Sequence, residues 1–279
     1  MRAVEEHAKA ANIPVSLRAE AEIRASFAAA GGRTRIARLF ESGGWRLRHP
    51  NPHQGCEAVI LNTGGGLASG DRVDLAFTAL ARADVTLTTQ AAEKIYRGAT
   101  AAEVAVAIRL EEGARLEYLP QETILFEGAR LRRRLEVEMA ADAVALFAEI
   151  TVFGRLARGE TSTRGSFHDS WRVRRAGKLV FAEETRLAGE IGALLDRPAI
   201  GRGARAAALL LFVGTDAPAR LADVRAGLEP FGDRVEAGAS AFNGLLAARL
   251  MAVSPEALRA AILAALVPLR GRAPPRIWH

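Results

Sequence analysis

Apolar and polar residues alternate strictly near the start of the chain. Seven apolar side chains occupy every second position from Val15 to Phe27, and polar or charged residues fill the positions between them. A period of two is typical of a β-strand with one face in the core and the other in solvent. Gly31 and Gly32 then interrupt the pattern, as expected for a turn.

Short segments of the same character continue through most of the chain, with turn-forming residues between them. We interpret residues 140–143 as a hairpin loop, and residues 175–177 as a turn at hairpin spacing. Many short strands separated in this way favour a large, mainly β architecture. The predicted strands are residues 57–62, 72–78, 84–89, 103–110, 134–139, 144–151, 171–174 and 178–181.

The last third of the chain changes character. Residues 206–213 form an apolar run that suits a buried strand, and residues 218–228 have apolar positions at helical spacing. Ser254 is a favourable N-cap for a helix that ends near Leu269 and stops at Gly271. We therefore predict one mainly β domain over residues 1–279, with two or three α-helices mostly in this third. Residues 1–14 are expected to form a disordered tail.

The charge and cysteine content narrow the possible classes of protein. The formal net charge is +6, but only three of the 38 basic residues are lysines and aromatic residues make up 6%. An arginine-rich chain without interleaved aromatics does not point to nucleic-acid binding. A single cysteine, Cys56, excludes an intrachain disulfide. With no signal sequence and no apolar run of membrane-spanning length, we expect a soluble cytoplasmic protein.

Two loops carry candidate chemistry. The glycine-rich loop at residues 64–71 lacks the Gly-Lys-Ser/Thr ending of a phosphate-binding loop, and a predicted strand follows it, so tight turns explain its glycines better. His49, His53 and Cys56 are potential ligands for nickel, zinc or copper. Prolines separate the two histidines, and an ordinary polar loop is the better interpretation. No pattern indicates a catalytic nucleophile with its base.

Four segments, taken in order, resemble the UreD family of urease accessory proteins. They are Asn-Thr-Gly-Gly-Gly-Leu-Ala-Ser-Gly-Asp within residues 58–71, Gln-Ala-Ala-Glu-Lys-Ile-Tyr-Arg within 87–97, Leu-Pro-Gln-Glu-Thr-Ile-Leu-Phe-Glu-Gly-Ala at 119–129, and Pro-Arg-Ile-Trp at 275–278. Gly154-Arg155 and Gly159-Glu160 also match. This chain departs from the family pattern at a few positions. Many members have a glycine where Ala68 or Ser69 stands, and many have a residue other than glutamate at position 93. The group of two histidines and one cysteine is not part of the family pattern.

The resemblance implies a non-enzymatic chaperone with an elongated, β-helix-like fold. Such a protein is expected to bind UreF, to reach the GTPase UreG through UreF, and to dock on apo-urease. Nickel is implied as an ion in transit through an internal channel, with no tightly bound cofactor. An all-β cytoplasmic ligand-binding protein or hydrolase of unknown substrate is the alternative.

A channel must bind its ion weakly enough to release it, and carboxylates do this better than a closed cage of cysteine and histidine. The resemblance therefore points to five acidic residues as candidate nickel-transit residues, although each could instead form a salt bridge with an arginine. They are Asp71, Glu93, Glu122, Glu149 and Glu183. The residues expected to shape the same region are Gly64, Gly65, Gly66, Gly70, Lys94, Tyr96, Pro120 and Gln121.

Overall fold

The fold is predominantly β, as the alternating pattern predicts. A computed structural model describes residues 18–50, 56–160 and 164–278. The expected tail at residues 1–14 lies outside these ranges. The strands are β1 (Glu20–Ala30), β2 (Arg33–Ser42), β3 (Trp45–Arg48), β4 (Cys56–Asn62), β5 (Arg72–Ala79), β6 (Asp84–Thr89), β7 (Glu93–Ile95), β8 (Ala102–Leu110), β9 (Arg115–Leu119), β10 (Thr123–Leu125), β11 (Arg130–Met139), β12 (Val144–Phe153), β13 (Arg164–Arg175), β14 (Lys178–Glu190), β15 (Ala206–Val213), β16 (Val235–Phe242) and β17 (Leu245–Ala252).

The strands form two large sheets. The first has the order β14-β13-β11-β8-β5-β1-β2, and the second runs β16-β17-β15-β12-β9-β6-β4-β3. Most neighbours in the middle of both sheets are parallel, and paired residues there are about thirty positions apart in the chain, as with Arg72 beside Glu103 and Asp84 beside Arg115. The chain therefore winds in successive coils, which is the β-helix-like arrangement expected for the fold.

The prediction of a hairpin loop at residues 140–143 is wrong. Strands β11 and β12 belong to different sheets, so this turn carries the chain from one sheet to the other, as does the turn between β5 and β6. Both kinds of turn are short and both flanking strands alternate, so the pattern cannot distinguish a hairpin from a step between stacked sheets. The predicted turn at residues 175–177 does join an antiparallel hairpin, β13 with β14.

Two layers of apolar packing hold the sheets. One lies between the sheets and includes Phe27, Phe77, Phe147 and Trp171. The other lies between the outer face of the second sheet and two helices, α2 (Ala217–Leu228) and α3 (Pro255–Arg270). A shorter helix, α1 (Ile191–Asp196), follows β14.

Helix α3 begins and ends as the sequence predicts. The hydroxyl of Ser254 accepts a hydrogen bond from the amide of Ala257 at 3.1 Å, and Gly271 takes the left-handed conformation with φ +65°. Across the described ranges, every helix is too short or too polar to cross a membrane.

Candidate functional site

The first three family-like segments meet at one side of the coils. Leu67 forms a bridge with Ile95, Ile95 pairs with Leu125, and Leu125 pairs with Phe153. Each of these residues is buried. Because parallel pairing repeats the same orientation in every coil, segments far apart in the chain become neighbours in one column.

Aromatic and charged groups cover the outer corner beside this column. The rings of Tyr96 and Phe126 meet edge to face with centroids 5.1 Å apart, and the guanidinium of Arg155 lies 4.6 Å from the centre of the Phe126 ring. Arg155 also pairs with Glu160. Tyr96 is 39% exposed. The shorter family-like matches at positions 155 and 160 thus belong to the same corner as the second and third segments.

Asp71 fastens the glycine-rich loop. Its two carboxylate oxygens accept hydrogen bonds from the amides of Ala19 at 2.9 Å and Ala68 at 2.7 Å, and the residue is 8% exposed. Gly66 lies so close to the Tyr96 ring that a Cβ atom would come within 2.4 Å of its Cε2 atom. The phenolic hydroxyl donates to the carbonyl of Gly65 at 3.1 Å. These contacts explain why glycine and aspartate occupy these positions of the loop through backbone geometry, without a bound ligand.

Glu93 points into the interior of the coils. Asn62 Nδ2 donates to Glu93 Oε1 at 2.9 Å. Burial raises the pKa of Glu93 to about 7, although the Asn62 hydrogen bond and the neighbouring Lys94 act in the opposite direction. The side chain of Lys94 is exposed, as expected for the next position in a strand.

The side chains next to Glu93 in the neighbouring coils are also polar. Glu93 pairs with Thr123, and Thr123 pairs with Thr151. Both threonines are buried, and Arg133 Nη1 donates to Thr123 Oγ1 at 3.3 Å. We call Glu93, Thr123 and Thr151 the inner polar row. It leads from the glycine-rich loop toward the far end of the coils.

A buried charged cluster adjoins the inner polar row. Arg133 and Asp169 form a two-point contact, with Nε 2.9 Å from Oδ1 and Nη2 2.7 Å from Oδ2. Glu149 Oε2 lies 2.6 Å from the same Nη2 atom. Burial, with the nearby charge of Asp169, raises the pKa of Glu149 against the opposing effect of Arg133. Burial raises the pKa of Tyr118, and the nearby charges of Glu149, Asp169 and Glu93 add to this effect against the opposing charge of Arg133.

The cluster opens into a cavity of about 260 Å³ between the sheets. Glu149 and Thr151 line the inner part, and Glu183 on β14 lines the same cavity. Glu183 pairs with Arg249 on β17, whose side chain is 57% exposed. Most of the remaining wall is apolar. Two of the predicted transit residues therefore share one cavity, and Glu93 lies on the row that leads to it.

Glu122 lies on the other side of the second sheet, away from this cavity. Its carboxylate accepts a hydrogen bond from Arg259 of α3 at 2.5 Å, which is the salt bridge considered as the alternative. Gln121 donates to the carbonyl of Ile277 at 3.0 Å, and Trp278 Nε1 donates to the carbonyl of Leu119 at 3.0 Å. The third and fourth family-like segments are thus joined, and Pro120, which is buried, sits within this contact.

Sequence reasoning missed Arg133 and Asp169. By composition, the arginine-rich stretch at residues 130–134 resembles a solvated, positively charged strand, and Arg130, Arg132 and Arg134 are indeed exposed. Arg133 has the opposite parity and points inward. Asp169 likewise lies between the inward-facing Phe167 and Trp171. A charged residue at an apolar position of an alternating strand was the available signal.

The histidine–cysteine group gives little support for a metal site. His49 Nε2 lies 3.3 Å from the sulfur of Cys56, and His53 falls outside the described residues. Burial, with the nearby charge of Asp84, raises the pKa of the Cys56 thiol to about 12, and a protonated thiol is a poor ligand. In the described part of the chain, no three His, Cys, Asp or Glu residues are grouped to hold a metal ion.

Comparison with known proteins gives a consistent result. A family model described as UreD urease accessory protein matches residues 19–279. A urease accessory protein UreD from Beijerinckia indica subsp. indica is 52% identical over 250 residues, which cover 89% of this chain and 93% of that protein. Proteins of the same name from Xanthobacter autotrophicus and Rhodopseudomonas palustris are each 48% identical, over 94% of this chain and 90% and 93% of their own lengths.

Proposed function

Because the chain belongs to the UreD family of urease accessory proteins, we propose that it delivers nickel to apo-urease along a path through its own interior. The family places the chain in urease maturation, and the chain is not an enzyme. The alternative that the chain is a hydrolase is therefore rejected. Nickel is the cargo of the proposed path, and no tightly held cofactor forms part of the proposal.

The observation that carries this proposal is the succession of polar side chains between the sheets, of which Thr123, Thr151 and Glu149 are buried and Glu93 and Glu183 are half-buried. Glu93 begins the inner polar row, Glu149 adjoins its far end, and Glu183 shares the final cavity with Glu149. Buried charges are costly unless they are paired or serve a ligand. Separate carboxylates offer a divalent ion several weak oxygen sites in succession, and two of the three also lie beside an arginine.

The geometry narrows the proposed path to three of the five candidate acids. Asp71 uses both oxygens to hold backbone amides, and Glu122 pairs with Arg259 outside the space between the sheets. We assign these two to the stability of the family-like segments. Glu93, Glu149 and Glu183 remain as the residues that contact the ion in transit.

We further propose that the protein works as a scaffold that binds UreF, recruits UreG through UreF, and docks on apo-urease. The resemblance of the four segments supports these partners. The exposed corner at Tyr96, close to the start of the inner polar row, is a surface where a partner could hand over the ion.

Nickel loading of urease in cells tests the proposed function. The gene is deleted from a strain carrying the whole urease cluster and restored as wild type, Glu149→Gln or Glu183→Gln. Glu136→Gln serves as the matched control because this carboxylate is exposed on the outer face of β11. Nickel bound per urease is measured by atomic spectrometry, and immunoblotting confirms equal amounts of soluble accessory protein.

The deletion should leave urease without nickel, and the wild type and the control should restore it. Each inner variant should lower nickel per urease by about tenfold or more, since a neutral amide is a much weaker ligand for a divalent ion than a carboxylate. Fully loaded urease in the deletion strain would exclude a role in delivery. Normal loading by both inner variants would exclude the internal path and leave the scaffold alone.

A further inference from the structure

The three charges of the buried cluster are not held equally. Asp169 receives the two-point contact from Arg133 and a third hydrogen bond from the indole of Trp171, at 3.1 Å from Nε1 to Oδ2. A guanidinium and a carboxylate in this parallel arrangement form a strong and geometrically defined pair. The position of Asp169 is therefore fixed by three donors.

Glu149 is held far more loosely. Its Oε2 atom approaches Arg133 Nη2 at 2.6 Å, but it makes no hydrogen bond of normal geometry within the described residues. Nη2 is the nitrogen that already donates to Asp169. Glu149 is 4% exposed and lines the 260 Å³ cavity. It is thus a buried carboxylate beside an open space, and Oε2 is the oxygen turned toward Arg133.

The charge balance of the cluster explains why Glu149 remains available. One guanidinium faces two carboxylates, so Asp169 alone neutralises Arg133 and the charge of Glu149 is left over. If Asp169 were neutral, Glu149 would be the one close counter-ion left to Arg133 among the residues that the structure describes. The guanidinium would then draw Glu149 into a two-point contact, and the cluster would have no net negative charge to attract a cation.

We infer that Arg133 and Asp169 form a positioning pair that keeps Glu149 free to bind a divalent cation in the cavity. Neither member of the pair contacts the ion. Asp169 occupies the guanidinium, and the guanidinium in turn holds the Oε2 side of Glu149, so that the other carboxylate oxygen is left for the cation. This inference rests on the proposed function, because it assigns the cation bound at Glu149 to the proposed nickel path.

Charge-balanced variants test the pair. Asp169→Asn keeps the shape of the side chain but removes the carboxylate that neutralises Arg133, so that the guanidinium turns to Glu149. The double variant Asp169→Asn with Arg133→Met removes both members of the pair and returns the leftover negative charge to Glu149. Binding of Ni²⁺ to the purified full-length chain is measured by equilibrium dialysis, with melting temperature as the control for folding.

We expect Asp169→Asn to weaken Ni²⁺ binding by about tenfold or more. The double variant should return to within about threefold of the wild type, although it differs from the natural sequence at two buried positions. If the pair had only a structural role, the double variant should bind Ni²⁺ more weakly than Asp169→Asn. Wild-type binding by Asp169→Asn, or no recovery in a folded double variant, would overturn the inference.

A third variant keeps the test decisive if Asp169→Asn alone does not fold. The double variant is then compared with the same protein carrying Glu149→Gln in addition. The inference requires Ni²⁺ binding in the former and its loss in the latter, and a folded double variant that does not bind would refute it. Wild-type binding of Ni²⁺ by Glu149→Gln in the otherwise natural chain would instead reject the proposed path itself.

Discussion

Glu117 offers the clearest test of how the C-terminal segment is held on the second sheet. Its side chain is fully buried on the outer face of β9, and its Oε2 atom lies 2.7 Å from Arg270 Nη2. Arg272 approaches the other oxygen at 3.1 Å. Substitution Glu117→Gln keeps the volume of the side chain but removes the charge that faces these two guanidinium groups.

The expected loss follows from the burial of Arg270, which is 7% exposed. Removing one partner of a buried ion pair costs about 3–5 kcal/mol, because the other charge is left without compensation. A domain of ordinary stability has only about 5–15 kcal/mol in total. Arg272 also pairs with Asp84 at 3.0 Å, so Arg270 bears most of this cost.

The dependence of stability on pH provides a second test of the pair formed by Glu117 and Arg270. Burial alone would raise the pKa of Glu117, but Arg270 and Arg272 outweigh it and the pKa is lowered. An acid whose pKa is lower in the folded state stabilises the fold above its unfolded pKa, and this stability is lost as the pH falls through the folded pKa. The wild type should therefore lose this contribution below about pH 4.5, whereas Glu117→Gln should lack it at every pH.

Pulse proteolysis in increasing urea, carried out on cell lysates, measures the free energy of unfolding for each variant. Glu117→Gln should lower it by about 3–5 kcal/mol at pH 7. The double variant with Arg270→Met should be less damaged than the single variant, because no unpaired charge remains buried. A loss below about 1 kcal/mol for Glu117→Gln, or additive losses in the double variant, would refute this account.

Three further predictions concern other buried contacts. Trp278→Ala should cost about 3–5 kcal/mol in the same assay because the indole is buried, whereas the exposed Val267→Ala should change stability by less than about 0.5 kcal/mol. Gly66→Ala should cost about 1–3 kcal/mol because its Cβ has no room, whereas Gly238→Ala, with open space around it, should be neutral. Glu93→Gln should be more stable than the wild type at pH 8 by about 1–3 kcal/mol and equal to it near pH 4, because burial raises the pKa from 4.5 to about 7 and folding disfavours the charged form as the pH rises through this range. Parallel pH profiles for Glu93→Gln and the wild type would contradict this.

The strands and the long helix could be predicted because their signals are local. Alternation marks which residues face the core, and Ser254 and Gly271 mark the ends of α3. The partner of each strand is not a local property. β5 and β6 are separated by a short turn but lie in different sheets, whereas β5 and β8 pair across about thirty residues. Nothing in a turn of this length distinguishes the two outcomes.

The candidate site could be predicted only in part, because its residues have local signals whereas their meeting in space depends on strand pairing. The family resemblance points to Glu93, Glu149 and Glu183 as candidates, but β12 is buried on both faces, so alternation does not tell which face of the sheet carries Glu149. The place of Glu93 in the inner polar row, and the cavity shared by Glu149 and Glu183, depend on the pairing of coils, which the sequence does not reveal. Arg133 stands in a stretch rich in exposed arginines, and only its parity, shared with Leu131 and Leu135, sets it apart.

The stacking of the coils gives the proposed path its continuity and also its main vulnerability. In a parallel ladder each coil contributes one side chain at the same depth, so the inner polar row exists only because Glu93, Thr123 and Thr151 occupy equivalent positions in their coils. A shift of one residue in any coil would turn that side chain to the opposite face. The fixed contacts at the corners, such as Asp71 with two backbone amides and Glu122 with Arg259, prevent such shifts. Acids outside the proposed path therefore affect it through register, and their substitution should lower nickel delivery together with stability, whereas substitution of Glu149 should lower delivery alone.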